Sequence, residues 1–119
     1  MGIIGNVGLG VEGSGIVSEV GSTVTDLKVG DRVMFLVPDC CSTRSRIAAQ
    51  RCVKLPPRIS WEEGATIPCV YATVIHSLLD VGGLRKGQSV LIHSACGGIG
   101  LAAIQICQYI GGVTVSTFS

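Results

Sequence analysis

Six consecutive residues, Ala95-Cys96-Gly97-Gly98-Ile99-Gly100, have the types and spacing of a turn that cradles phosphate. The pattern is G-x-G-x-x-G with alanine in the first place. A small first residue permits a tight turn, Gly97 lets backbone approach a pyrophosphate, and Gly100 allows a helix to pack closely on a strand. The start of that helix offers unpaired N–H groups and the positive end of a dipole to the phosphates. Glycines also serve ordinary turns, so the pattern gains meaning only from its surroundings. Here it follows the apolar run 88–93 and opens the helical stretch 99–110, which is the context that dinucleotide binding requires. A bound dinucleotide is therefore expected, with a purely structural turn as the alternative.

Other side chains near this turn invite a catalytic reading and do not support one. His93 and Cys96 flank the turn, yet neither has a visible partner of the kind an activated nucleophile needs. His93 reads as a strand-end residue and Cys96 as a small loop residue lending a backbone amide. His76 falls inside a helical stretch, packed or at the surface. Glu12 is isolated among glycines and reads as a turn-stabilising carboxylate ahead of a general base. Arg44, Arg46, Arg51, Lys54 and Arg58 form a mildly basic stretch whose simplest reading is a solvated face, with contact to a carrier protein or phosphopantetheine as the alternative. The chain holds 6 cysteines but no C-x-x-C pair, and its 2 histidines lie far from any compact cysteine cluster. With no secretory leader in view, reduced thiols and no metal site are expected.

The elements that must position the turn follow from periodicity. The first half reads as short strands and glycine turns. Residues 11–20 carry β-branched side chains, Gly30-Asp31 marks a turn, and residues 32–37 make a strand ended by Pro38-Asp39. A further strand or two is expected between residues 45 and 55, before Pro56-Pro57. Many short strands with glycine turns suggest a small barrel or sandwich. The period changes at Ser60-Trp61-Glu62-Glu63, a capping box. Pro68 suits a helix start, residues 71–79 have helical spacing, and Gly82-Gly83 ends that helix. Strand 88–93, the glycine turn, helix 99–110 and the β-rich stretch 113–118 then make one βαβ unit.

Composition limits the function classes. The chain has 119 residues, room for about one domain, with 47% hydrophobic and 14% charged residues against an average of roughly 25% charged. Its net charge of +1 removes the electrostatic case for nucleic acid or an anionic membrane as partner. The first residues lack a basic, apolar leader, and Asn6 stands where a myristoylation signal wants Ser or Thr. The most apolar run, residues 99–110, is too short to span a bilayer. A soluble, cytoplasmic α/β protein is expected.

With these residues in view, the sequence resembles the medium-chain dehydrogenase/reductase superfamily, and within it the enoyl reductase domains of fungal highly reducing polyketide synthases. The resemblance covers nearly the whole chain. It rests on Leu9-Gly10-Val11-Glu12-Gly13-Ser14-Gly15-Ile16-Val17, on Val29-Gly30-Asp31-Arg32-Val33-Met34-Phe35, on Ala65-Thr66-Ile67-Pro68-Cys69-Val70-Tyr71-Ala72-Thr73, and on the stretch from Leu84 through Gly100. The phrase Tyr71-Ala72-Thr73-Val74-Ile75-His76-Ser77-Leu78-Leu79 pulls it toward the polyketide group.

The resemblance implies a partial GroES-like β-barrel on the substrate side over residues 1–67, then the first βαβ of a Rossmann fold for NADPH over residues 68–119. It implies hydride transfer to the β-carbon of an α,β-unsaturated acyl thioester, carried on an acyl carrier protein, with protonation at the α-carbon. Cofactor contacts then fall on Ala95, Cys96, Gly97, Gly98, Ile99 and Gly100, and on Thr73, which matches a threonine near the nicotinamide in similar reductases. Tyr71 either lines the pocket or packs in the core. No catalytic residue is assigned, and a homodimer of the parent protein is left open. Zinc-dependent relatives carry Gly-His-Glu where this chain has Gly10-Val11-Glu12, so catalytic zinc is not expected. Such a reductase runs to about 300 residues at ~100–200 per domain, so a segment of one is expected. It would begin inside the barrel and end after the second Rossmann strand, near where preference for the 2′-phosphate is set. Two strands give an apolar helix little sheet to cover, so exposed apolar surface is expected. The alternatives are a stand-alone quinone or enone oxidoreductase of the same superfamily, and a truncated chain that binds nucleotide or partner without turnover.

Overall fold

The computed structural model describes residues 8–117, and the readings of the first six residues and of Phe118 lie outside them. The chain forms two compact units that divide between Cys69 and Val70.

In the first unit, β1 (Glu12–Ile16), β2 (Arg32–Leu36) and β3 (Cys52–Lys54) make a three-stranded antiparallel sheet in the order β1-β2-β3. The register sets Ser14 opposite Met34, and Met34 opposite Val53. Only one strand forms between residues 45 and 55, preceded by a single 3₁₀ turn, Ala49–Arg51. Three strands leave the sheet open, since closing a barrel needs more strands with tilt and stagger.

Helix α1 (Trp61–Thr66) begins where the capping box predicts. The Ser60 hydroxyl accepts the Glu63 N–H, and the Glu63 carboxylate accepts the Ser60 N–H. The helix is tied to β1 and β2 of the sheet: the Ser14 hydroxyl donates to the Trp61 carbonyl at 2.7 Å, and the Arg32 guanidinium lies 4.2 Å from the Trp61 ring centre. Arg32 also donates to the carbonyls of Pro57 and Ile59, fixing the loop that leads into α1.

Helix α2 (Pro68–Val74) starts at Pro68, whose missing N–H costs nothing at a first helical position. Beyond it, the regular spacing expected through Leu79 gives way to a π-helical stretch, Ile75–Val81. The Ser77 hydroxyl donates to the Thr73 carbonyl at 2.6 Å and competes for an acceptor of the helical ladder. The next bonds are correspondingly wider, with Gly82 N–H reaching the Ser77 carbonyl and Leu84 N–H the Leu78 carbonyl.

The second unit is the expected βαβ. Strand β4 (Ser89–Ile92) pairs in parallel with β5 (Val113–Ser116), with Leu91 opposite Val115, and α3 (Gly98–Ile110) connects them. Gly111 stops α3 in the left-handed conformation at φ +82, a C-terminal cap that suits glycine. The core of this unit is Val74, Ile92, Ala95, Ala102 and Ala103, with Val70, Tyr71 and Leu78 packed against it. Several apolar side chains of the unit are exposed: Leu91, Val113 and Val115 on the sheet, and Ile99, Leu101 and Tyr109 on α3. No helix among the described residues is long and apolar enough to cross a membrane.

Candidate cofactor-binding turn

The residues read from sequence as phosphate-binding, 95–100, run from the turn after β4 into the first turn of α3. Ser94 enters it with φ +52, an uncommon conformation for a residue with a side chain. The Gly97 N–H then closes on the Ser94 carbonyl at 3.1 Å. The end of β5 braces the turn. Ala95 N–H donates to the Thr117 carbonyl, Thr117 N–H to the Ile92 carbonyl, and His93 Nδ1 lies 3.2 Å from the Thr117 hydroxyl. His93 is thus a strand-end residue in a hydrogen bond. Cys96 is exposed, and no disulfide joins any of the six cysteines.

The turn's glycines answer to different constraints. A Cβ on Gly100 would lie 2.6 Å from Ala95 Cα and 2.7 Å from the Ala95 carbonyl carbon. Ala95 is itself buried, so the start of α3 can approach it only with glycine at position 100. The close approach is to the turn's own first residue, where the sequence reading expects the strand. Gly97 differs. Its backbone is extended, at φ −77 and ψ 166, and a Cβ there would meet only the Ser94 carbonyl oxygen at 3.6 Å. Neither its conformation nor its neighbours demand glycine. The open space at Gly97 suits a group brought close to the backbone from outside.

That space faces a helix end without a protein cap. Gly97 is the N-cap of α3 and makes no side-chain capping bond, and the first N–H of the chain to bond back into the helix is that of Leu101, to the Gly97 carbonyl. The N–H groups at 98, 99 and 100 precede it and have no partner within the ladder. They form a ready donor set for an anion, so the residues present fit a dinucleotide's diphosphate.

Thr73 sits on a different element. It is exposed on α2, one turn beyond Val70, and Val70 Cγ1 lies 3.4 Å from where a Gly98 Cβ would be. Sequence reasoning missed Val70, which reads simply as one apolar residue among several. It also missed the bond from the Tyr71 hydroxyl to Gln105 Oε1 on α3. The only signal for that bond was a glutamine interrupting an apolar helix.

Glu12 needs a correction. It stabilises no turn; its carboxylate accepts the Cys69 N–H at 2.8 Å, from 57 residues away, and so caps α2. A carboxylate at a helix N-terminus satisfies an orphan donor and complements the dipole. His76 is exposed and pairs with Asp80 at 3.3 Å within the π-helical stretch. Among the described residues, no group of three or more His, Cys, Asp or Glu could hold a metal ion.

The first unit has a groove of about 750 Å³ with walls from Val17, Val33, Phe35 and Ile47, and with Arg44 and Arg46 on its lining. Cys52 also lines it, and burial pushes its thiol pKa up, away from the thiolate a nucleophile needs.

The comparisons agree with this architecture. Residues 4–73 match the alcohol dehydrogenase GroES-like domain family. The chain is 66% identical over 115 residues to the highly reducing polyketide synthase gloL of Glarea lozoyensis, covering 97% of this chain and 4% of that protein. It superposes on the CurK enoyl reductase with a TM-score of 0.89 at 35% identity, over 95% of this chain and 34% of that one. It also superposes on the Escherichia coli quinone oxidoreductase complexed with NADPH, with a TM-score of 0.80 at 35% identity, over 94% of this chain and 35% of that one. The chain therefore spans about a third of its solved neighbours and a small part of the synthase. With more than half its length matched to the family and these relatives beside it, the chain belongs to the alcohol dehydrogenase GroES-like family of the medium-chain dehydrogenase/reductase superfamily, as a partial segment closely related to polyketide enoyl reductase domains.

Proposed function

We propose that this segment binds NADPH at the turn 95–100 and serves the reduction of α,β-unsaturated acyl thioesters in polyketide synthesis. The observation that carries the reading is Gly97, a glycine that the fold does not require, at the mouth of a helix end that the protein leaves uncapped. The N–H groups of Gly98, Ile99 and Gly100 would hold the diphosphate, with Ala95 and Cys96 shaping the approach. Thr73, exposed on α2, would lie toward the nicotinamide. When bound, NADPH supplies the hydride that goes to the β-carbon of the enoyl group. The protein's part is to bind, orient and keep the diphosphate end fixed. No residue of this chain is assigned as the donor of the α-proton.

The polyketide setting rests on the 66% identity to the gloL synthase, with the acyl chain presented on a carrier protein. A stand-alone quinone or enone reductase is the second reading, favoured by one fact: identity to the quinone oxidoreductase structure equals that to the CurK enoyl reductase.

Titration of the purified chain with NADPH and NADH, reading nucleotide fluorescence and thermal midpoint together, tests the binding. Ligand at 100 times its Kd stabilises the folded state by about 2.7 kcal/mol, so a saturable rise in the midpoint is expected. A folded chain with no shift from either nucleotide would sink the reading. Turnover of an enoyl thioester against a quinone by the longer protein then separates the two reactions.

A further inference from the structure

Two adjacent residues of α2 grip α3 at points two turns apart. Val70 meets the first turn of α3 at Gly98, while the Tyr71 hydroxyl donates to Gln105 Oε1. Positions 98 and 105 are seven apart, so they lie on one stripe of the helix, separated by about 10 Å at 1.5 Å per residue. The Tyr71 side chain packs against the cluster that includes Ala95, the first residue of the glycine turn. Gln105 is exposed, and it interrupts a helix whose other residues are mostly apolar or small.

Resting on the NADPH reading above, we infer that the Tyr71–Gln105 hydrogen bond is a clasp that positions the cofactor turn. Tyr71 and Gln105 touch neither cofactor nor substrate; they are positioning residues. The bond fixes where α2 lies along the 98–105 stripe, and so keeps Val70 behind the first turn of α3. With that support, the N–H groups at 98–100 stay aligned for a diphosphate. Without it, α2 can slide or lift, and binding must first restore the arrangement. The cost then appears as weaker nucleotide affinity, since a ligand's apparent affinity falls with the fraction of protein in the competent arrangement.

The test is a set of NADPH titrations on the full chain with Tyr71→Phe, Gln105→Leu, the double variant and Gln105→Glu, each with its thermal midpoint. Gln105 is exposed, so its variants keep the fold even where a change at Tyr71 does not. One net hydrogen bond corresponds to a roughly threefold to tenfold loss of affinity. That loss is expected for Tyr71→Phe and for Gln105→Leu, with the double variant no weaker than either. Gln105→Glu retains an acceptor for the tyrosine hydroxyl and is expected to restore the affinity. Lower midpoints with unchanged NADPH affinity in Gln105→Leu would overturn the inference, leaving a bond that serves stability alone. A loss confined to Tyr71→Phe would also overturn it, placing the tyrosine in the pocket. Failure of the unmutated, folded chain to bind NADPH would instead defeat the functional reading on which the clasp depends.

Discussion

The helices α1 and α3 begin in opposite ways. At α1, Ser60 and Glu63 satisfy one another's backbone N–H groups within four residues of chain, and Arg32 ties the entering loop down. At α3, the N-cap is a glycine with no side chain to offer, and a Cβ at that position would meet only the Ser94 carbonyl oxygen, at 3.6 Å. The short helix carries a complete capping box at its start. The long one, whose packing is secure through Ala102, Ala103 and Cys107, leaves its positive end unsatisfied. A helix start that serves only the fold is closed by a side chain of the protein, whereas one without such a cap beside a sterically unnecessary glycine is available to an anion. Even α2 follows the first pattern, with Glu12 brought in from a distant strand to cap it.

The comparison can be broken most forcefully at Gly100. An alanine there must overlap Ala95 backbone, which cannot rotate away. Overpacking of up to ~3 kcal/mol set against ~1 kcal/mol of helix propensity leaves a net loss of about 2 kcal/mol for Gly100→Ala. A denaturant midpoint unchanged from the parent would show that the turn is looser than described. A smaller loss, about 1 kcal/mol, is expected for Ser60→Ala by the same measurement, because α1 then loses its reciprocal cap. NADPH affinity should not respond to it.

The smallest effect is electrostatic. The backbone N–H of Lys28, and next the ammonium of Lys54 at 3.1 Å, hold the Asp31 carboxyl below its usual pKa. A folded-state value below the unfolded one stabilises the protein above the unfolded pKa and is lost as the pH falls through the folded one. The stability gap between the parent and Asp31→Asn should therefore be constant above about pH 5 and close as the pH drops below about 3.9. Urea melts across that range would read it, and a gap that widens in acid would contradict the assignment.

Much of this was legible in the sequence because it is local. Pro68, the Ser60–Glu63 pair and Gly111 act on their immediate neighbours, so helix starts and stops could be placed within a residue or so. The glycine turn was equally readable, since its spacing and flanking periods lie in one short stretch. What escaped were contacts set by tertiary structure. Glu12 caps a helix 57 residues away, and nothing around it in the chain announces that partner. Tyr71 and Gln105 are 34 residues apart. The π-helical stretch also escaped, because its apolar spacing satisfies an α-helix and only the Ser77 hydroxyl bond to the Thr73 carbonyl accompanies its departure. The sequence also could not separate Gly97 from Gly100: both are letters of one motif, and only the surrounding atoms distinguish a glycine needed by the fold from one available to a ligand.

That distinction is the central claim, and Gly97→Ala tests it directly. The variant should unfold within about 1 kcal/mol of the parent, since the site accepts a Cβ and only a modest N-cap preference is lost. Its NADPH affinity should fall by about tenfold or more, because the same methyl occupies the space proposed for the diphosphate. Parent-like affinity in a stably folded Gly97→Ala would contradict the account, showing that the open space beside α3 is not where the nucleotide binds.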